Sequence, residues 1–132
     1  MITLQSVYRT WGADQALYRL LQERPPEANI SHRAMPTFAE HLAFVHSKPY
    51  LAWYMIMDGA NMVGAIYLTK AREIGIFIFA QHQRCGYGRQ AIAELAKHWP
   101  GKFYANVAPG NERSHDFFKS LGARLIELTY EL

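Results

Sequence analysis

The residues of this chain best placed to do chemistry lie in AQHQRCGYGRQAI, residues 80–92, where Gln83, Gly86 and Gly88 stand between an apolar run and an apolar-periodic stretch. A glycine-rich turn from a strand into a helix presents successive amide N–H groups to an anion, and the helix N-terminus reinforces them. Glycine suits such a loop because a Cβ would hold a phosphate away from the backbone. Gly86-x-Gly88-x-x-Ala91 formally fits the dinucleotide fingerprint G-x-G-x-x-G/A. However, Gln81, His82, Gln83 and Arg84 separate the strand from the first glycine, and the region where an acidic ribose partner belongs reads Asn106, Val107, Ala108. Only one further strand–helix–strand unit follows, too little for a doubly wound sheet. A nucleotide-triphosphate loop is excluded more simply, since no Gly-Lys-Ser/Thr follows. Two readings remain: a ligand-free turn, or Gln83-x-x-Gly86-x-Gly88 as a cradle for a pyrophosphate.

Such a loop needs a strand to carry it and a helix to open from it, and the chain supplies both. ITLQSVY reads as an opening strand, and GADQALYRLLQER as a helix with Ala16, Leu17, Leu20 and Leu21 at helical spacing, stopped by Pro25 and Pro26. Residues 23–36 read as a polar loop. Thr37 and Glu40 form a capping-box pattern opening a second helix, with Phe38, Leu42 and Val45 on one face. YLAWYMIM runs to an Asp58-Gly59 turn, NMVGAIYLT follows, and EIGIFIFA is apolar on both faces, as a central strand is. After the loop come the helix GRQAIAELAKHW, the strand KFYANVA, the helix NERSHDFFKSL with Gly122 past its end, and a last strand ARLIELTYEL. The pattern β-α-α-β-β-β-α-β-α-β predicts an α/β (α+β) domain, a mixed central sheet flanked by helices.

The chain has 132 residues, enough for one domain with its own core, and half of them are apolar. A net charge of +3, spread without a Lys/Arg block, makes a nucleic-acid- or tRNA-directed role the weakest of the functions considered. The single cysteine excludes an internal disulfide, and no signal peptide or membrane span is evident, so the sequence reads as a cytoplasmic protein. His41 and His46 are five apart and share no helical face, so no metal site is expected. His98 reads as a helix-end residue, and Trp53, Tyr54 and Tyr67 as core or slot lining.

Two motifs together carry a resemblance. The loop Gln83-x-x-Gly86-x-Gly88 and the later NERSHDFFKSLGA, with Asn111, Ser114, Phe118 and Gly122, resemble the GCN5-related N-acetyltransferase (GNAT) family. That family carries Q/R-x-x-G-x-G/A after a central strand and N-x-x-(small)-x-x-x-Y-x-x-x-G-F on a later helix, and its element order matches nearly the whole chain. The resemblance implies a single acyl-CoA N-acyltransferase domain over residues 1–132, with acetyl-CoA as co-substrate and direct attack by a primary amine. It further implies that the amides of Gln83, Arg84, Cys85, Gly86, Tyr87, Gly88 and Arg89 bind the pyrophosphate. Arg84 and Arg89 either add charge or are merely solvated. The strand Ile74–Phe79 would splay from KFYANVA to leave a slot, where pantetheine pairs with backbone near Ile76 and Ile78. The Ile78 amide would polarise the thioester carbonyl. Asn111 would bind pantetheine or a water, or serve as a plain helix cap. Glu73 sits where the family commonly carries its base, acting through water; the alternative is a strand-end carboxylate facing solvent or pairing with Arg72.

The chain departs from the family at Phe118, where a tyrosine often reprotonates the departing thiolate. Water, His115, Tyr104 or Tyr130 would then serve, and a non-catalytic acyl-CoA-binding module becomes the competing reading. Ala123 replaces an aromatic, and the final hairpin is shortened, leaving an edge that a second copy in a homodimer would complete. The acceptor is expected at residues 23–36 with Glu27, Asn29, His32 and Arg33, together with the second helix. That mixed polarity suits a small polar amine such as an amino sugar, or a protein N-terminus or lysine.

Overall fold

A computed structural model describes residues 1–24 and 34–132. Among them run β1 (Ile2–Ser6), α1 (Ala13–Glu23), α2 (Phe38–His46), β2 (Ala52–Asp58), β3 (Asn61–Leu68), β4 (Glu73–Ile78), α3 (Tyr87–His98), β5 (Tyr104–Ala105) and α4 (Glu112–Ser120), with short 3-10 turns at Val7–Arg9 and Ala80–His82. The strands form one sheet in the order β1-β2-β3-β4-β5. β1 to β4 are mutually antiparallel and β5 is parallel to β4, which is the mixed sheet the pattern predicts.

Each helix is placed by its apolar spacing. α1 buries Ala13, Ala16, Leu17 and Leu20, the i, i+3, i+4, i+7 stripe of an amphipathic helix. The capping box at α2 forms as expected: Glu40 N–H donates to Thr37 Oγ1 at 3.1 Å and Thr37 N–H to Glu40 Oε1 at 2.8 Å. These bonds hold the exposed Glu40 carboxyl below its ordinary pKa. The face that α2 buries differs from the expected one. His41 and Val45 point inward, whereas Phe38 stays 37% exposed, edge-on to Tyr18. Two buried residues one turn apart suffice here because the helix is short and the aromatic at its start packs sideways.

Both faces of the sheet are covered. Trp53, Met55, Met57, Ala65 and Phe79 pack with α1 and α2. On the other face Ile56, Ile66, Leu68 and Ile74 pack with Ala91 and Leu95 of α3. The register of β2 on β3 shifts between Ile56 and Met57, leaving Val63 without a directly opposed residue. Such a bulge turns a side chain to the opposite face, and Val63 accordingly joins the α3 side although Ala65, two residues on, faces α1.

Two expected strands come out differently. KFYANVA pairs with β4 only at Tyr104 and Ala105. Residues 123–132 form no strand, and Leu125, Ile126, Leu128 and Tyr130 are 62% to 82% exposed. The tail has the alternation of a strand, but alternation yields a strand only where a neighbouring edge supplies hydrogen-bond partners. Among the described residues none is aligned with it.

Arg72 controls where β4 and β5 meet. It occupies the turn after β3 at φ 68°, and its carbonyl accepts the Tyr104 N–H at 2.8 Å. Its guanidinium donates to the carbonyls of Trp99, Pro100 and Lys102 at 2.8, 3.0 and 3.0 Å and lies over the Phe103 ring. The end of α3, the approach to β5 and the start of β4 are thus joined at one point, and the two strands diverge from it.

Candidate active site

The divergence of β4 from β5 opens a cleft of about 760 Å³. β3 pairs along β4 from Leu68↔Ile74 to Gly64↔Ile78. Thr69 N–H bonds the Glu73 carbonyl and Phe79 N–H bonds the Val63 carbonyl, so the odd-numbered residues of β4 exchange hydrogen bonds with β3. Alternation along an antiparallel ladder then turns the N–H groups of Ile74, Ile76 and Ile78 to the other side. Ile74 is opposite Ala105, but Ile76 and Ile78 lie beyond the last β5 pair and face the cleft.

The glycine loop closes the far end of this wedge. Gly86 precedes α3 at φ 79° and Arg84 stands at φ 65°, two left-handed residues that curl the amides into a concave turn. No side chain caps α3, and its first turn carries no acidic residue. The Gln90 N–H already bonds the Gly86 carbonyl, so the amides of Tyr87, Gly88 and Arg89 are the ones a helix leaves available to an anion. The two glycines have different reasons. Gly86 needs its left-handed φ, whereas a Cβ on Gly88 would stand 3.0 Å from the Phe117 ring of α4. Gly88 therefore lets α3 and α4 approach, a packing requirement distinct from the phosphate clearance expected of both.

Glu73, Ile76, Ile78, Gln83, Arg84, Gly86, Tyr87, Gly88, Arg89, Asn111, Ser114 and Phe118 all line the cleft. Cys85 does not; its exposed thiol donates to the Gln83 carbonyl at 3.6 Å. Asn111 is a true helix cap, its side chain accepting from the Ser114 N–H at 3.3 Å. Arg89 donates to the Ser120 carbonyl at 3.1 Å, a bond to α4 that leaves it partly engaged. Glu73 is half-buried at the closed end of the wedge, its N–H bonded to Thr69 Oγ1 at 3.0 Å. The alternative pairing with Arg72 does not form, because that guanidinium is committed to three carbonyls.

Of the candidate proton donors, Tyr104 and Tyr130 are exposed and His115 donates to, or faces, the Ala108 carbonyl at 3.2 Å; none lines the cleft. Tyr67 does line it, and burial raises its hydroxyl pKa. His41 is buried with Nε2 3.2 Å from the Asp14 carbonyl, and burial lowers its pKa. His46 is exposed, 3.5 Å from the Asp14 carboxylate.

Sequence reasoning missed the bonds that brace the loop. The Gln83 amide donates to the Ile78 carbonyl at 3.1 Å and accepts from Arg113 of α4 at 2.6 Å. The Tyr87 hydroxyl donates to Asp58 at 2.5 Å, and Glu23 accepts the Ala80 N–H at 2.8 Å. The Arg113, Asp58 and Glu23 partners lie 29 to 57 residues from the loop, and no local pattern announces them. The expected acceptor residues Glu27, Asn29, His32 and Arg33 lie outside the described residues.

A mixed sheet split at β4 and β5, with an uncapped helix N-terminus at the mouth of the split, defines an acyl-CoA-dependent transferase fold. Residues 15–123 match the acetyltransferase (GNAT) family, and the chain belongs to that family of acetyltransferases. Solved structures share the fold. An acetyltransferase from Thermus thermophilus superposes with a TM-score of 0.73 at 22% identity over 96% of this chain and 89% of its own. An aminoglycoside 6'-N-acetyltransferase from Acinetobacter haemolyticus gives 0.63 at 15%, covering 100% and 96%. A microcin C7 self-immunity acetyltransferase, solved with acetyl-CoA and AMP, gives 0.65 at 16%, covering 92% and 77%. No curated protein matches the chain in sequence. Among the described residues no helix is long and apolar enough to cross a membrane.

Proposed function

We propose that the protein transfers the acetyl group of acetyl-CoA to a primary amine by direct attack. The observation that carries this reading is the wedge: backbone groups of Ile76 and Ile78 face an open slot that ends at the uncapped α3 N-terminus. The free amides of Tyr87, Gly88 and Arg89 at the start of α3 hold the pyrophosphate, the Gln83 N–H being taken by the Ala80 carbonyl, and pantetheine pairs along β4 as an added strand does. An open N–H of β4 donates to the thioester oxygen as negative charge develops on it. Ile76 is the donor near enough to act together with Glu73, since Ile78 lies five residues, about 17 Å, further along the strand.

An alkylamine, with a pKa of about 10.4, arrives protonated and cannot attack until a base accepts that proton. Glu73 lines the same cleft and takes the proton through water. The amine nitrogen then bonds the carbonyl carbon, and the tetrahedral intermediate collapses with loss of the thiolate. A thiol of pKa about 8.5 is a good leaving group, so water entering the cleft suffices to reprotonate it and Phe118 need not. The exposed thiol of Cys85 suits a reducing compartment such as the cytoplasm.

Thermal unfolding with acetyl-CoA, against ATP and NADH as controls, tests the reading. Ligand at 100 times its dissociation constant adds about 2.7 kcal/mol, a shift of roughly 10 °C for a domain of this size. An equal shift with NADH, or none with acetyl-CoA, overturns the proposal.

A further inference from the structure

A second cavity adjoins the wedge on the α1–α2 side of the sheet. It is enclosed by α1, α2 and the sheet, measures about 100 Å³, and shares Leu20, Arg24, Tyr67 and Phe77 with the cleft. Cavity and cleft therefore adjoin across these four side chains. Along β4 Glu73, Gly75 and Phe77 alternate onto the cavity side, so the carboxylate and the cavity wall are presented from the same face.

The wall is aromatic and fixed. Tyr50 stacks on Tyr67 with centroids 3.9 Å apart and planes 3° apart, while Trp53 meets Tyr50 edge-on at 4.7 Å. Phe44 of α2 meets Trp53 edge-on at 6.1 Å. The Tyr67 ring lies over Gly75, where a Cβ would come within 2.1 Å of it, so glycine alone lets the ring lie against the strand. Burial raises the pKa of both tyrosine hydroxyls. Both hydroxyls stay uncharged, and the stacked faces present mainly ring carbon, with the Arg24 guanidinium over the Phe77 ring as the charged member of the lining. His41 adds a neutral imidazole, its Nε2 held at the Asp14 carbonyl.

We propose that the acceptor amine carries an apolar group, no larger than a single ring, which seats in this aromatic cavity while its nitrogen reaches the wedge beside Glu73. This rests on the acetyltransferase reading above and narrows its acceptor from any primary amine to an arylalkyl or branched-alkyl amine. An amino sugar, with a hydroxyl on nearly every carbon, would lose its water to a wall of mostly apolar surface, with Arg24, His41 and two tyrosines as polar side chains. An apolar cavity of about 150 Å³ accepts benzene in another protein, so about 100 Å³ sets one ring as the upper limit.

The test measures acetyl-CoA-dependent release of CoA thiol with 2-phenylethylamine, isoamylamine, ethanolamine and glucosamine. In parallel, thermal shifts are recorded for each amine on protein saturated with acetyl-CoA. The expected result is a preference of about 10- to 200-fold in kcat/KM for the first two amines, with thermal stabilisation by them alone. Leu21→Phe, which adds bulk at a half-buried lining position, should erase that preference while leaving the acetyl-CoA shift unchanged. Equal or better use of ethanolamine or glucosamine overturns the inference and leaves the acetyltransferase reading intact. Absence of any acetyl-CoA shift overturns that reading and the inference with it.

Discussion

Along one edge of β4 the backbone is zipped to β3 over five registered pairs; along the other, pairing stops at Ile74 and the remaining amides are left for a ligand. The two substrate regions inherit this difference. The cofactor side is made of backbone: strand N–H groups and a helix N-terminus. The proposed acceptor side is made of side chains, rings from α2, β2, β3 and β4 gathered over the sheet. Backbone sites tolerate almost any sequence that keeps the path of the chain, whereas side-chain sites change with every substitution. A conserved reaction with a variable acceptor is the expected product of such a division.

Breaking one side should spare the other. Glu73→Gln gives the largest effect on turnover, a fall of about 10²- to 10⁴-fold at neutral pH, with the acetyl-CoA thermal shift intact. Unchanged turnover would remove Glu73 from the mechanism. Gly88→Leu acts oppositely: its side chain meets Phe117, costs about 1–3 kcal/mol of stability and suppresses the acetyl-CoA shift. A retained shift would mean that the α3–α4 approach is irrelevant to the loop. Arg72→Ala removes three charge-assisted bonds that are largely solvent-facing, and should cost about 1–2 kcal/mol in denaturant titrations, weakening acetyl-CoA binding alongside.

Smaller effects sharpen the comparison. Burial holds the His41 pKa below its ordinary 6.5, partly opposed by the carbonyl and charge of Asp14. The unfolded chain then binds that proton more readily. Stability present above pH 6.5 is lost as the pH falls toward the folded-state value. His41→Gln should flatten Tm between about pH 7.5 and 5.5, and an unchanged slope would assign the acid sensitivity elsewhere. Finally, Phe118→Tyr should leave kcat within about threefold, since the thiolate departs without help; a larger rise would show that proton delivery limits the reaction.

The same division explains how much was legible in the sequence. Gln83, Gly86 and Gly88 could be read because a backbone cradle imposes fixed spacings, and Asn111 to Gly122 because a capped helix does too. Five strands and four helices followed from periodicity. The aromatic wall was not legible, since Phe44, Tyr50, Trp53, Tyr67 and Phe77 come from separate elements and each reads singly as core. Trp53 and Tyr67 were noted as core or slot lining, but alternation does not say which rings meet. KFYANVA was read too long because residue types report strand propensity and not where a neighbour diverges. ARLIELTYEL was read as a strand for the same reason.

Arg72 makes the wedge a lever. With the strands clamped at their closed end, β4 extends for six residues, about 20 Å, before it reaches the glycine loop. A rotation of about 5° at the clamp would therefore displace the loop by about 1.7 Å, while the region around Glu73 would scarcely move. The slot is thus widest beside the glycine loop, where the proposed reading puts the charged part of the nucleotide, and narrowest beside Glu73.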